Sequence, residues 1–190
     1  RRRARNNPLA LSRPRPASIL LGHVSPSRLP IAVYYFAFIG ALGLFWPYFA
    51  VHLTALGLRP GDKVVIFSEN RPEWVMTDFA VLAAGGITVP IYTSLMPEQI
   101  KYIINDSDAR IVVCSNRELW LKVEAVRAEL RNVHHFILID EEGPQGVVSL
   151  SEVMGRGKTI ADANAGLFEK RALAVKPDDL ASIIYTSGTT

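Results

Sequence analysis

Cysteine occurs once in the 190 residues, at Cys114. A single cysteine excludes an internal disulfide and any metal site built from several thiolates. Its neighbours Ile111, Val112 and Val113 place it on a buried strand, where a thiol behaves as a small hydrophobe. A lone thiol is compatible with a reducing cytoplasm. Acidic residues and lysine are missing altogether from residues 1–61, which hold eight arginines. Residues 62–190 carry 13 basic and 18 acidic side chains, a balance of −5, so the overall charge of +3 hides a sharp split. Two such stretches point to two environments rather than one uniformly basic protein. No aromatic residue interleaves with the arginines of residues 1–28, which argues against a nucleic-acid partner. The lysine-bearing loop GxxxxGK(S/T) is absent as well, excluding a Walker-type nucleotide site.

What is present is a 49% hydrophobic chain, enough apolar material for a core. Residues 1–28 are rich in arginine, proline and serine without periodicity and are expected to be disordered. From Ile31 to Val51 run 21 residues without a charge, about what a helix needs to cross a bilayer core of ~30 Å at ~1.5 Å per residue. Tyr34, Tyr35, Trp46 and Tyr48 stand toward its ends, as interfacial aromatics do. Residues 29–54 are therefore expected to form a hydrophobic, membrane-associating helix, with an apolar core helix as the alternative. The protein is then cytoplasmic or attached to the inner membrane face, and integral if residues 31–51 span.

From residue 55 the pattern changes. Lys63–Ser68, Ile87–Tyr92, Arg110–Cys114, Phe136–Asp140 and Leu180–Tyr185 read as short buried strands. Between them fall helices that open at Asn70–Glu73, with Asn70 as N-cap, and at Met96–Gln99, then a helix over Arg117–Leu130 and short ones at Leu150–Met154 and Ala165–Ala172. Trp74, Phe79, Leu82 and Ala83 recur at helical spacing, and Trp74 and Trp120 are expected in the core. Pro90 argues for an edge strand or a strand end. The alternation predicts an α/β fold, a partial doubly wound and mainly parallel sheet with helices on both faces. His134 and His135 are adjacent on a strand, so they point to opposite faces and cannot share a metal ion. Asp106 and Asp108 sit at a helix end and are read as capping or solvent-facing. The residues designate no catalytic group and no metal site.

The last strand enters a small hydroxyl-rich loop, Thr186, Ser187, Gly188, Thr189 and Thr190. Small side chains let backbone N–H groups approach a phosphate, and the hydroxyls add donors. YTSGTT resembles the opening of the YTSGTTGxPKG signature of adenylate-forming, AMP-binding enzymes. ALGLRPGDKVVIFSENRPEW and AAGGITVPIYTSLMPEQIKYIINDSDARIVV resemble the long-chain fatty acyl-CoA synthetase branch, so the likeness covers residues 55–190. It implies a two-step ligase using ATP, Mg2+ and coenzyme A, with a fatty acid as the acid and residues 186–190 on the ATP phosphates. The signature's second half does not follow Thr190, so this chain alone is expected to be inactive and to bind these substrates poorly. Residues 29–58 also resemble, over a short stretch, the first transmembrane helix of major-facilitator transporters. That likeness leaves a second reading, a transporter-derived membrane segment joined to a non-catalytic α/β part.

Overall fold

β-branched runs build the strands. In a computed structural model of the chain, β1 (Lys63–Phe67), β2 (Ile87–Ile91), β3 (Ala109–Cys114), β4 (His135–Leu138) and β5 (Val147–Ser149) all pair in parallel, in the order β2-β1-β3-β4-β5. The structure describes Val33, Gly40, Gly43 and residues 46–140 and 142–186, and the sheet with its helices lies in the unit Ala37–Thr190. Helices α1 (residues 46–55), α2 (Pro72–Ala83), α3 (Pro97–Asp106), α4 (Arg117–Glu124), α5 (Leu150–Ala163) and α6 (Leu167–Ala172) complete the fold.

A parallel sheet needs cover on both faces, because every crossover lays a helix on it. Side-chain alternation divides the strands accordingly. Val65, Phe67, Val112 and Cys114 face α3 and α4, where Ile100, Ile104, Leu119 and Trp120 meet them. Val64, Ile111, Val113 and Ile137 face Phe49 and Leu53 of α1, Ala80 and Val81 of α2, and Val153 of α5. The result is the doubly wound α/β arrangement expected from the sequence.

Several local expectations are corrected. The hydrophobic helix expected over 29–54 reaches the described residues chiefly at its end, and that end is core. Phe49, Ala50, Val51 and Leu53 are at most 3% exposed. Among the described residues no helix is long and apolar enough to cross a membrane. Residues 1–28 lie outside the described residues. On α2 the inward face is Thr77, Ala80 and Val81, while Phe79 is 52% exposed and Trp74 only half-buried. Phe79 instead meets Trp46, whose ring also stands edge-on to Phe168 at 5.0 Å, so the large rings form a rim between helices. The residue preceding α2 is Arg71, without a side-chain cap, rather than Asn70; Pro72 takes the first turn, where its missing N–H costs nothing. α4 is shorter than expected and gives way to a 3-10 turn at Arg127–Glu129. β5, three residues long, is an element the sequence pattern does not disclose, and α5 runs on to Ala163.

Candidate functional site

In open α/β sheets ligands gather beyond the carboxyl ends of the strands, above all where the strand order reverses, here between β1 and β3. The chain fills that crevice itself. Glu69, just after β1, accepts the Ser115 hydroxyl at 2.5 Å and the Asn116 amide at 2.9 Å. Asn116 meanwhile caps α4 by accepting from the Leu119 N–H at 3.0 Å. The Ser115 hydroxyl, then Glu69's own backbone N–H and Asn116, hold the Glu69 carboxyl below the usual carboxylate range. Arg71 bonds Asp140 and Glu73, both at 2.7 Å, and these two carboxylates raise its pKa still further. A carboxylate whose oxygens already accept these donors leaves little for an incoming anion.

Open space lies on the other side, around β2. The segment after α6 returns to the sheet beside β2, with the Thr88 N–H bonded to the Ala181 carbonyl and the Ile183 N–H bonded to the Thr88 carbonyl. In a strand, alternate residues bond the same neighbour, so the next β2 residue facing this segment is Pro90, which has no N–H to give. The pairing therefore stops at a single bridge, Thr88 to Ser182. The expected buried strand over Leu180–Tyr185 is thereby corrected: Leu180 is 58% and Ile184 65% exposed. Pro90 does sit on the edge of the five-stranded sheet, as its presence suggested.

Peeling away from β2 opens a cleft on each side of the segment. One, of about 500 Å³, lies against α3 and is walled by Leu95, Tyr102, Ile103, Tyr185 and Thr186. The other, of about 490 Å³, lies toward the end of β1 and is walled by Glu69, Trp74, Thr93 and Ile184. Both fall in the size range of ligand pockets. Thr186, the first hydroxyl of the expected loop, thus stands at the carboxyl edge of the sheet and faces a mainly apolar cleft. Ser187, Gly188, Thr189 and Thr190 lie outside the described residues.

Tyr185 is fixed by a residue that the sequence pattern gives no such role. Its hydroxyl donates to Asp106 Oδ2 at 2.6 Å, across 79 positions of sequence. Burial and then the Asp106 carboxylate push the phenol up to about 12. The remaining candidates are structural. His134 is exposed, whereas His135 is half-buried, and burial lowers its pKa. Asp108 holds a left-handed backbone, φ 57°, and accepts from Asn132. Trp120 is core, edge-on to Phe136 at 5.3 Å. Among the described residues no three His, Cys, Asp or Glu side chains converge on a metal-sized site.

Cys114 is fully buried, and burial pushes its thiol up to about 12. A thiolate is the reactive form. The native chain is therefore expected not to react with Ellman's reagent at pH 8 within an hour, and to release one equivalent of thiol once unfolded in guanidinium. Rapid native labelling would contradict the burial.

Residues 47–190 match the family model described as AMP-binding enzyme. The chain is 36% identical over 141 residues to a long-chain-fatty-acid–CoA ligase, FadD15, of Mycobacterium bovis, an alignment covering 74% of this chain and 22% of that protein. It is 31% identical to the long-chain-fatty-acid–CoA ligase of Thermus thermophilus, over 73% of this chain and 23% of that one. Among solved structures it is similar to the anthranilate CoA ligase AuaEII in complex with anthranoyl-AMP, with 25% identity and a TM-score of 0.62 over 78% of this chain and 27% of that one. The Archaeoglobus fulgidus ligase FadD1 gives 25% identity and a TM-score of 0.61, over 77% and 27% of the two chains. The chain thus spans about a fifth of the length of the curated relatives it matches.

Proposed function

The chain belongs to the AMP-binding enzyme family, and we propose that it contributes the phosphate-binding edge of an ATP-dependent long-chain fatty acid–CoA ligase. The observation supporting this reading is the position of Thr186 at the carboxyl edge of a doubly wound sheet, within the residues that match the AMP-binding family model. In the first step a fatty-acid carboxylate oxygen attacks the α-phosphorus of ATP. An acyl–O–P bond forms, the α–β phosphoanhydride bond breaks, and pyrophosphate leaves with the electron pair. In the second, the thiol sulfur of coenzyme A attacks the acyl carbon, its proton passes to solvent, and AMP departs. The resemblance of the fold to a ligase structure containing an acyl-adenylate supports the same intermediate here.

This chain's own part is electrostatic. In this reading the hydroxyls of Thr186, Ser187, Thr189 and Thr190 and the backbone N–H groups around Gly188 serve as donors to the charge that develops on the departing pyrophosphate. Such donors act best when held before the reaction, which is what an anchored strand end provides. Magnesium would neutralise phosphate charge in such a reaction, but the described residues bring no ligand set together for it, and no step is assigned to it.

The test is fatty-acid-dependent exchange of labelled pyrophosphate into ATP. In the complete enzyme carrying this segment, the combined substitution Thr186→Ala, Ser187→Ala and Thr189→Ala is expected to lower exchange by about 10²-fold or more. Exchange at the wild-type rate in that variant would refute the assignment. The 190-residue chain alone is expected to show none above a no-protein control.

A further inference from the structure

Residues 184–186 leave the sheet with few hydrogen bonds, although the partly buried Tyr185 ring packs against the apolar cluster that includes Ile103. Their ladder ends at Thr88 because Pro90 offers no donor, and Ile184 points away from the core at 65% exposure. Among the hydrogen bonds of the described residues, one ties this stretch to the body of the domain: Tyr185 to Asp106.

The anchor at the other end is itself well fixed. Asp106 is the last residue of α3. Beside it the Asn105 side chain donates to the Glu129 carbonyl at 3.1 Å and accepts from the Arg131 N–H at 3.0 Å. The Ser107 hydroxyl closes back on the Ile104 carbonyl, and Asn132 bonds Asp108. Both neighbours of Asp106 are thereby committed to the protein, leaving its carboxylate to receive a donor from across the cleft. That donor belongs to the residue immediately before Thr186.

We propose that Asp106 is a positioning residue for the phosphate loop: it catches the Tyr185 hydroxyl and so sets the point at which Thr186 leaves the sheet. This role rests on the proposed ligase function and adds to it a residue on α3, outside the loop. Its logic is geometric. A phosphate cradle works through donors placed to within a fraction of an ångström, and displacement by about 1 Å can cost 10²-fold in rate. Pro90 frees the strand from β2, and Asp106 prevents the freed end from wandering. The raised phenol pKa agrees, since a phenol that donates to a carboxylate resists losing its proton.

The experiment compares Asp106→Ala, Tyr185→Phe and the conservative Asp106→Asn, which keeps a carbonyl acceptor. In the complete enzyme, Asp106→Ala and Tyr185→Phe are each expected to raise the KM for ATP about tenfold, leaving the KM for fatty acid and the urea midpoint unchanged; Asp106→Asn is expected to stay within about threefold of wild type. In the 190-residue chain, the near-ultraviolet titration that disappears in Tyr185→Phe is expected to fall below about 12 in Asp106→Ala, yet to stay above the ordinary phenol value of about 10, because burial, the larger cause of the shift, persists. An unchanged KM for ATP in Asp106→Ala overturns the proposal. So does a parallel rise of both KM values with a lowered urea midpoint, which marks a purely structural contact. Absence of any exchange in the wild-type complete enzyme overturns the ligase function itself, and the role of Asp106 falls with it.

Discussion

Replacing Gly157 by alanine is expected to destabilise the chain by about 3 kcal/mol, although the same exchange two residues earlier, at Gly155, is expected to be neutral or to stabilise by up to about 1 kcal/mol. Both glycines lie in α5, where alanine is the better helix former. What separates them is the neighbour. A Cβ on Gly155 meets nothing within 4 Å, whereas one on Gly157 falls 2.0 Å from the Tyr48 carbonyl oxygen and 2.7 Å from its carbon. That obstacle is backbone of α1 and cannot rotate away, so α5 and α1 have to separate. Separation draws Phe49 and Leu53, both fully buried, off the sheet. The loss of packing outweighs the gain in helix propensity. Urea unfolding of both variants decides the matter: equal midpoints for the two would show that α1 and α5 do not meet through Gly157.

The same contact explains what the sequence could and could not disclose. Alternation of short apolar runs with helical periods suffices for a doubly wound parallel sheet, because buried parallel strands leave that signature directly. The first helix is ambiguous in the sequence because an all-apolar run has no polar face to report a period, so core and bilayer ask for the same composition. The packing of Phe49, Leu53 and the Tyr48 carbonyl shows the described end of that run, residues 46–55, to be core. On α2 the large rings Trp74 and Phe79 draw the inferred core face toward themselves, yet the real one is lined by the small Ala80, Val81 and Thr77, which let the helix approach the sheet. The hydroxyl loop is legible as a motif; its support is not. Pro90 can be read as an edge residue, but the bond between Asp106 and Tyr185 joins residues 79 apart and leaves no local trace. Nor does any pattern announce that Glu69 occupies the crevice at the reversal of strand order, since that depends on loops after two different strands meeting at Ser115 and Asn116.

A second large effect is expected from acid. His52 of α1 is 2% exposed, and among the described residues neither ring nitrogen finds a hydrogen-bond partner. Burial first, then the charges of Arg156 on α5 and His135 on β4, lower its pKa to about 4, with Glu152 on α5 opposing. An imidazole whose folded pKa lies below its unfolded value of 6.5 binds more protons when unfolded. Its neutral form is therefore compatible with the fold above pH 6.5, and stability is lost as the pH falls from there to about 4. A shift of this size corresponds to about 3 kcal/mol over that interval. His52→Leu keeps the bulk and removes both nitrogens. It is expected to raise stability at pH 7 by about 1–2 kcal/mol, since buried polar atoms without partners are costly, and to flatten the decline between pH 6.5 and 4. The half-buried His135, also lowered by burial, titrates in the same direction and keeps part of the slope in the variant. Urea unfolding at pH 7 and pH 4.5 for both proteins gives the comparison as a difference of differences. If the two lose the same stability on acidification, His52 is not the group that acid strikes, and the decline belongs to His135 and the carboxylates instead.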